Sequence, residues 1–444
     1  MKTFSSHVVL VVAWFGVACA PGPVGGRSDG GSAPDAGEPP AFGFNFGEPV
    51  NVGPDDPSGN GGLGLAVSDS GEISVLYFID LETTQECVTN FDTKQVAESQ
   101  LKLARGDGET FTVSVVDTTR SADGVSAAYD NNGNLQVAYV GGPNGTGSCA
   151  ASDLLLASYT GASPAISTLA ADSAGSGTCR LQQNACNTGN VVGRFVSLAF
   201  NDDNQRFISF QDTHFDFSVE TDFEGADLEV LVDGTRYTVD DSSGAGNQGS
   251  MFVGEGGRAA VAHVVIVDHT FEGEEKAKGV WLAQQNEDNT WESVLVDGNV
   301  VPTNQIGGAF HATRGYAIAY QHPVDKDLLL ATSVDGTTWN KTQVDRLGNV
   351  GATPAVAFHG DRIVIAYNAC SGAQDTGGNC NPARDGVRLA VEDNGEWNVQ
   401  TVFNDPDFIE GTDVRMAVAS DNSLVVAFKS QGTRKVKVVR GTPR

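Results

Sequence analysis

The residue types best suited to chemistry in this chain cluster at the ends of three apolar segments: Asp212-Thr213-His214, Asp268-His269, and Gln321-His322 with Asp325. Imidazole and carboxylate are the ligands of a divalent transition metal, and they carry protons in general acid and base catalysis. Asp212, His214, Asp268, His269, His322 and Asp325 are therefore the candidate catalytic or metal-ligating residues. No compact metal motif fixes their spacing, and the plain alternative is that they are surface-loop residues bonded within their own loops. Asn201-Asp202-Asp203-Asn204 and Asp130-Asn131-Asn132-Gly133 offer oxygen atoms to Ca²⁺. They lack the ligand ladder and closing Glu of a calcium loop, and read as hairpin turns. Ca²⁺ or a divalent transition metal is the cofactor class in view, and nothing in the sequence requires one. Gly-x-Ser-x-Gly, phosphate-loop, zinc-protease and Cys-x-x-Cys patterns do not occur.

Those candidates can converge only if the segments that carry them are neighbours, and an internal repeat makes them so. An apolar-x-apolar-Ala-aromatic signature recurs at Val75-Leu76-Tyr77, Val137-Ala138-Tyr139, Ile208-Ser209-Phe210, Val261-Ala262-His263, Ile318-Ala319-Tyr320, Ile365-Ala366-Tyr367 and Val426-Ala427-Phe428. Each copy follows a strand and a tight polar turn, as in Leu63–Val67 before Asp69-Ser70-Gly71; Asn, Asp and Gly accept the positive φ that short hairpins need. A third strand carries apolar-x-Leu-Ala, as at Leu101–Ala104, Leu154–Ala157 and Leu328–Ala331. A fourth begins with an aromatic and ends near a Val: Phe111 with Val116, Trp291 with Val296, Trp339 with Val344, Trp397 with Val402. Four short antiparallel strands repeated radially predict an all-β, seven-bladed β-propeller occupying residues 42–444. His263 takes an aromatic position and reads as packing.

The last unit has strands near Arg415–Ser420, Leu424–Phe428 and Lys435–Val439 but no fourth. Phe44–Val52 has the aromatic start and Val ending of that strand, so the N-terminus is predicted to close the ring and remove an open edge. Links between the second and third strands (about 80–99, 140–152, 211–225, 265–278 and 369–386) are long, as is 170–193. In an up-and-down blade both kinds of link emerge on one face, where binding residues concentrate.

Ser333-Val334-Asp335-Gly336-Thr337-Thr338-Trp339 resembles the Asp-box of sialidase-like propellers, and Asp393–Trp397 and Asp107–Phe111 resemble degenerate copies. The resemblance implies the fold. Catalytic sialidases use three arginines, the first in an Arg-Ile-Pro-like motif near the first strand, but there is no Arg-x-Pro near residues 42–70. Sialidase activity is not expected, and fold does not carry function.

The compartment is read from the N-terminus. Met1-Lys2, the apolar run Val8–Val17 and small residues before Cys19 form a secretion signal, too short for a membrane-spanning helix. Gly16-Val17-Ala18-Cys19 resembles the lipobox of bacterial lipoproteins, with Gly16 where Leu is usual. The resemblance implies lipidation at Cys19 and, with Ala20 next, the outer membrane of a Gram-negative cell; ordinary cleavage near Ala20, giving a periplasmic or secreted protein, is the competing reading. Residues 20–41 are Pro, Gly, Ser, Ala and Asp rich and read as a flexible tether. Cys87, Cys149, Cys179, Cys186, Cys370 and Cys380 remain. They suit three disulfides, with 179–186 and 370–380 stapling single loops and 87–149 as remainder, among 15 possible connectivities.

A formal charge of −29, from 56 acidic and 27 basic residues, argues against nucleic acid and against direct adhesion to anionic lipid. The expected protein is a monomeric, tethered scaffold that binds a protein or glycan through the long loops and meets the membrane only through its anchor. The alternative is a glycoside hydrolase or lyase at the loop face, with two carboxylates about 5–10 Å apart.

Overall fold

The computed structural model describes residues 42–53, 59, 61–88, 93–119, 124–142, 152–171, 191–213, 226–242, 244–266, 277–370, 380 and 385–444. A compact unit spans Ala41–Arg444. Alternation of apolar and polar residues, punctuated by turn residues, dictates short strands, and the described chain folds into seven antiparallel sheets. A single one-turn 3₁₀ helix, Glu255–Gly257, is the helical content among the described residues.

In blade 1 the strands from first (A) to fourth (D) are Leu63–Val67, Ile73–Val88, Thr93–Gly106 and Phe111–Thr119. Blade 2 comprises Val125–Tyr129, Leu135–Gly141, Asp153–Tyr159 and Ala165–Ala170, and blade 3 Val191–Phe200, Arg206–Thr213, Ala226–Val232 and Thr235–Asp240. Blade 4 is built from Asn247–Val253, Ala259–Val265, Gly279–Gln285 and Trp291–Asp297, and blade 5 from Gly307–His311, Gly315–Gln321, Leu328–Ser333 and Asn340–Asp345. Asn349–His359, Arg362–Cys370, Gly386–Asp393 and Glu396–Phe403 make blade 6. Blade 7 takes Glu410–Val418, Leu424–Ser430 and Val436–Pro443 from the C-terminus, and its fourth strand is N-terminal: Phe44–Phe46 and Val50–Asn51 both pair with Val436–Pro443. The expected ring closure is present.

B strands are buried along almost their whole length, as in Leu135–Gly141, Ala259–Val265 and Leu424–Ser430. They need apolar residues at consecutive positions because neighbouring blades cover both faces, which is why the repeat signature sits there. D strands are outermost and more exposed, and their aromatic starts tuck inward.

Blade 1 departs from the expected loop at 80–99. Its B and C strands continue as a long hairpin, pairing Thr84 with Ala97 through Val88 with Thr93 after a register shift past Asp80. Thr83, Thr84, Val88 and Thr93 are β-branched and favour extended backbone, so a polar insertion forms a protruding ribbon.

Candidate functional site

Two of the six candidate residues fall into a local partnership and one is held at the end of a strand. His214, Asp268 and His269 lie outside the described residues, as do Cys19, Cys149, Cys179, Cys186, the signal segment and the tether. Asp212 is fully buried at the end of the blade 3 B strand, where its carboxylate meets the Arg236 guanidinium at 2.5 Å. Arg236 also binds Glu229 at 3.0 Å, which accepts the Thr238 hydroxyl. Asp212 thus belongs to a polar network that ties the B, C and D strands of one blade. His322 and Asp325 close a small turn in blade 5: the His322 Nδ1 accepts the Asp325 N–H at 3.0 Å and lies 3.3 Å from its carboxylate. Among the described residues, one group of three possible metal ligands comes together, Cys370, Cys380 and Asp385, and its two sulfurs are joined in a disulfide. That bridge staples the blade 6 B–C link, as its spacing suggested.

The concave site is instead on the axis. A cavity of about 470 Å³ opens where the A strands begin, the same end of each blade at which the B strands finish. Every blade contributes to it. Aligned on the A–B strand pairing, one equivalent position, next to the partner of the repeat aromatic, supplies Gly62, Gly124, Phe195, Gln248, Gln305, Thr353 and Asp413, and all seven line the cavity. Blades 1 and 2 present glycine and leave room; blade 3 presents an aromatic ring, blades 4 and 5 amides, blade 6 a hydroxyl and blade 7 a carboxylate. Thr303, Asn304 and Thr412 add further polar groups.

The backbone pays a conformational cost to point these residues inward. Phe195 (φ 53°), Gln248 (φ 55°) and Thr353 (φ 48°) are left-handed although none is glycine, and Thr353 is β-branched. The A strands of blades 3, 4, 6 and 7 bulge here, with register shifts at Arg194/Ser197, Asn247/Ser250, Ala352/Ala355 and Glu410/Val414. Such outliers cost about 1–3 kcal/mol each and gather where function holds them. Two residues before each bulge stands a glycine with positive φ: Gly193, Gly246, Gly351 and Gly411. A Cβ on any of them meets the first residues of the preceding blade's C strand, at 2.8 Å from Leu328 Cα for Gly351. The spaced Gly-x-Phe195, Gly-x-Gln248, Gly-x-Thr353 and Gly-x-Asp413 pattern was the available sequence signal for this site.

Among the described lining residues, charge is confined to blade 7, where two cations face one carboxylate. Arg415 lies 2.6 Å from Asp413 and also donates to its neighbour's carbonyl at Val414. Lys429, on the B strand, sits 3.9 Å from Asp413 and donates to the Gly61 carbonyl of blade 1. Burial holds the Lys429 amine below its ordinary range, with Asp413 opposing.

Comparison with known proteins adds the fold. No family model matches the chain and no curated protein matches its sequence. Solved structures align over most of its length. A protein of unknown function from Dyadobacter fermentans aligns with 13% identity and a TM-score of 0.50, over 90% of this chain and 100% of that one. The NanB sialidase from Streptococcus pneumoniae aligns with 9% identity and a TM-score of 0.43, over 90% and 70%. A Penicillium chrysogenum α-L-arabinanase aligns with 12% identity and a TM-score of 0.43, over 73% and 94%. At these identities the likeness is one of fold.

Proposed function

We propose that this chain is an exported, tethered binding propeller that takes the terminal sugars of a glycan into its axial cavity. The observation that carries the reading is the seven-membered ring of equivalent positions, one per blade, converging on a 470 Å³ space. Its lining suits the surface of a sugar: Phe195 offers a flat apolar face, Gln305 an amide, Gln248 and Asn304 their amide oxygens beside NH2 groups that donate to the Thr303 carbonyl and to Gln321 Oε1, and Thr353 the proton of a hydroxyl that accepts the Val414 N–H. A concave site with few convergent polar groups on a rigid scaffold is the expected form of a small-ligand site. The acidic charge of the chain agrees with a partner other than nucleic acid.

Hydrolysis of the glycan needs two carboxylates at a set separation. Among the described lining residues Asp413 is the one carboxylate, and Arg415 engages it, which favours binding. The Asp335 carboxylate accepts the N–H groups of Thr337 and Thr338 at 2.8 Å and the Ser333 hydroxyl at 2.9 Å, which supports the likeness of that hairpin to an Asp-box. Lipid attachment at Cys19 belongs to the same proposal, and it rests on the Ala18-Cys19 signal and the tether that follows.

Purified residues 20–444 screened on a glycan array, with the hits quantified by calorimetry, test the reading. Phe195→Ala or Gln248→Ala lowers affinity tenfold or more, about 1.4 kcal/mol. Binding that survives both substitutions but disappears when the B–C links are exchanged moves the site to the loops. Release of new reducing ends from a bound polysaccharide replaces the binding reading with the hydrolytic one.

A further inference from the structure

The B-strand residue that follows the repeat aromatic has a shared task. Gln211 donates to the Ala245 carbonyl at 2.8 Å, Gln321 to the Val350 carbonyl at 2.6 Å, and Asn368 to the Glu410 carbonyl at 2.9 Å. Each fastens its blade to the next at the crossover. In blade 7 the same position is Lys429, which fastens to the Gly61 carbonyl of blade 1. Neutral amides do this work in three blades, so clamping does not demand a cation. Burying one is costly, and here its carboxylate is shared: Asp413 lies 2.6 Å from Arg415 but 3.9 Å from Lys429. The nearby Asp80 is taken by Arg434 at 3.4 Å. Of these four clamps, Lys429 is the one whose residue lines the axial cavity, with its side chain 9% exposed.

We infer that Lys429 is a carbonyl-reactive amine that forms a reversible imine with the open-chain aldehyde of a reducing sugar held in the axial cavity. The inference rests on the axial cavity being the ligand site. In its neutral form the Lys429 Nζ lone pair adds to the aldehyde carbon, a C–N bond forms, and both amine hydrogens leave with the carbonyl oxygen as water. Water reverses the step, so no oxidant or reductant is consumed. Desolvation, with the Arg415 guanidinium adding to it, outweighs the opposing Asp413 and Asp80 carboxylates, so the ammonium is disfavoured and the fraction of nucleophilic amine rises. The amide and hydroxyl groups around the ring hold the remaining hydroxyls of the chain near that carbon, which raises the effective concentration of the aldehyde.

The test treats the folded protein with D-glyceraldehyde and sodium cyanoborohydride, which reduces the imine to a stable secondary amine, and maps the adduct by peptide mass spectrometry. A single early adduct at Lys429, formed at least tenfold faster than at any other lysine, is the expected result. Lys429→Gln installs the residue that blades 3 and 5 use at this position, so it keeps the clamp; it abolishes the early adduct and leaves the unfolding temperature within a few degrees. Labelling spread over exposed lysines, with Lys429 unmodified, overturns the inference. Array binding of the untreated protein is measured in parallel, so a glycan ligand without Lys429 labelling removes the imine and retains the cavity, whereas loss of both removes the cavity reading as well.

Discussion

A single residue pair, repeated, holds neighbouring blades together. The Tyr139 hydroxyl donates to Asp117 at 2.7 Å, Tyr320 to Asp297 at 2.8 Å and Tyr367 to Asp345 at 2.7 Å, each from a B strand to the last residues of the preceding D strand. His263 stands at the same position with its Nε2 3.5 Å from the Asp240 carboxylate, longer than the tyrosine bonds, so this aromatic position is polar as well as packed. Where the preceding D strand ends apolar, the B strand carries Phe: Phe210 follows Ala170, and Phe428 stacks on Phe403 at 6.0 Å. The aromatic half of the clasp was legible as a repeat. The acidic half stands 22 or 23 residues upstream in each of the three tyrosine pairs, at the end of a different strand, where a lone Asp carries no periodic signal. Tyr320→Phe takes the donor from Oδ2 of the buried Asp297 carboxylate while Lys341 and the Asn299 N–H still hold Oδ1, so it costs about 1–2 kcal/mol, read by urea unfolding. Burial first, and then the paired carboxylate, push the phenols of Tyr139 and Tyr320 above their ordinary range. A phenol raised on folding contributes stability that is complete below its unfolded value near 10 and is lost as pH climbs beyond it. The unfolding temperature therefore drops more steeply above about pH 10 than between pH 7 and 9, and the drop is shallower in the Tyr139→Phe, Tyr320→Phe double variant.

At the scale of an element, the glycine before each bulge does two separable things. It supplies positive φ, and it lets the D–A crossover lie on the preceding blade. Gly351 (φ 83°) and Gly360 (φ 59°) share the first property. A Cβ on Gly360 meets nothing within 4 Å, whereas on Gly351 it comes 2.8 Å from the Leu328 backbone. Both alanine variants lose about 1 kcal/mol for the left-handed conformation. Gly351→Ala loses at least a further 1–3 kcal/mol for the overpacked crossover, so the difference in denaturation midpoints isolates the close approach. Equal losses would mean that the crossover relaxes at little cost. Thr353→Gly relieves a β-branched left-handed residue but removes the hydroxyl that accepts the Val414 N–H of blade 7 at 3.3 Å, so the two effects offset each other in the denaturation midpoint while ligand binding weakens. Strand positions were legible because alternation and apolar content fix them. The cavity was not, since its lining comes from single residues at bulges, whose inward aim depends on backbone φ rather than on residue type. The blade 1 ribbon was missed for a related reason, because a polar strand that leaves the core has no buried face to advertise it.

The molecule as a whole is a ring, and a ring has one weakest joint. The chain ends meet inside blade 7: its N-terminal strand runs on into blade 1, so strand pairing with Val436–Pro443 and side-chain contacts replace the hairpin that joins the third and fourth strands of every other blade. On the inside, Lys429 reaches the blade 1 backbone. On the outside, Phe44–Phe46 pairs with Gly441–Pro443, and Phe44 is 3% exposed against Val402 and Val439 of blades 6 and 7. Gln400 fixes this strand by accepting the Phe44 N–H and donating to its carbonyl, and Arg362 lies over the Phe42 ring at 4.4 Å. Removing residues 42–52 leaves Val436–Pro443 as an unpaired edge beside exposed apolar side chains, a template for pairing with another chain. The truncated protein is therefore expected to unfold at least 10 °C lower and to aggregate, measured by calorimetry and light scattering. Phe44→Ala alone costs about 3–5 kcal/mol, the range for emptying a buried aromatic site. A synthetic peptide of residues 42–52 added in excess restores part of the lost stability by mass action, in proportion to its occupancy. A truncated chain that melts where the full chain does would show that blade 7 stands on three strands, and that the clasps and the Lys429 contact suffice to close the ring.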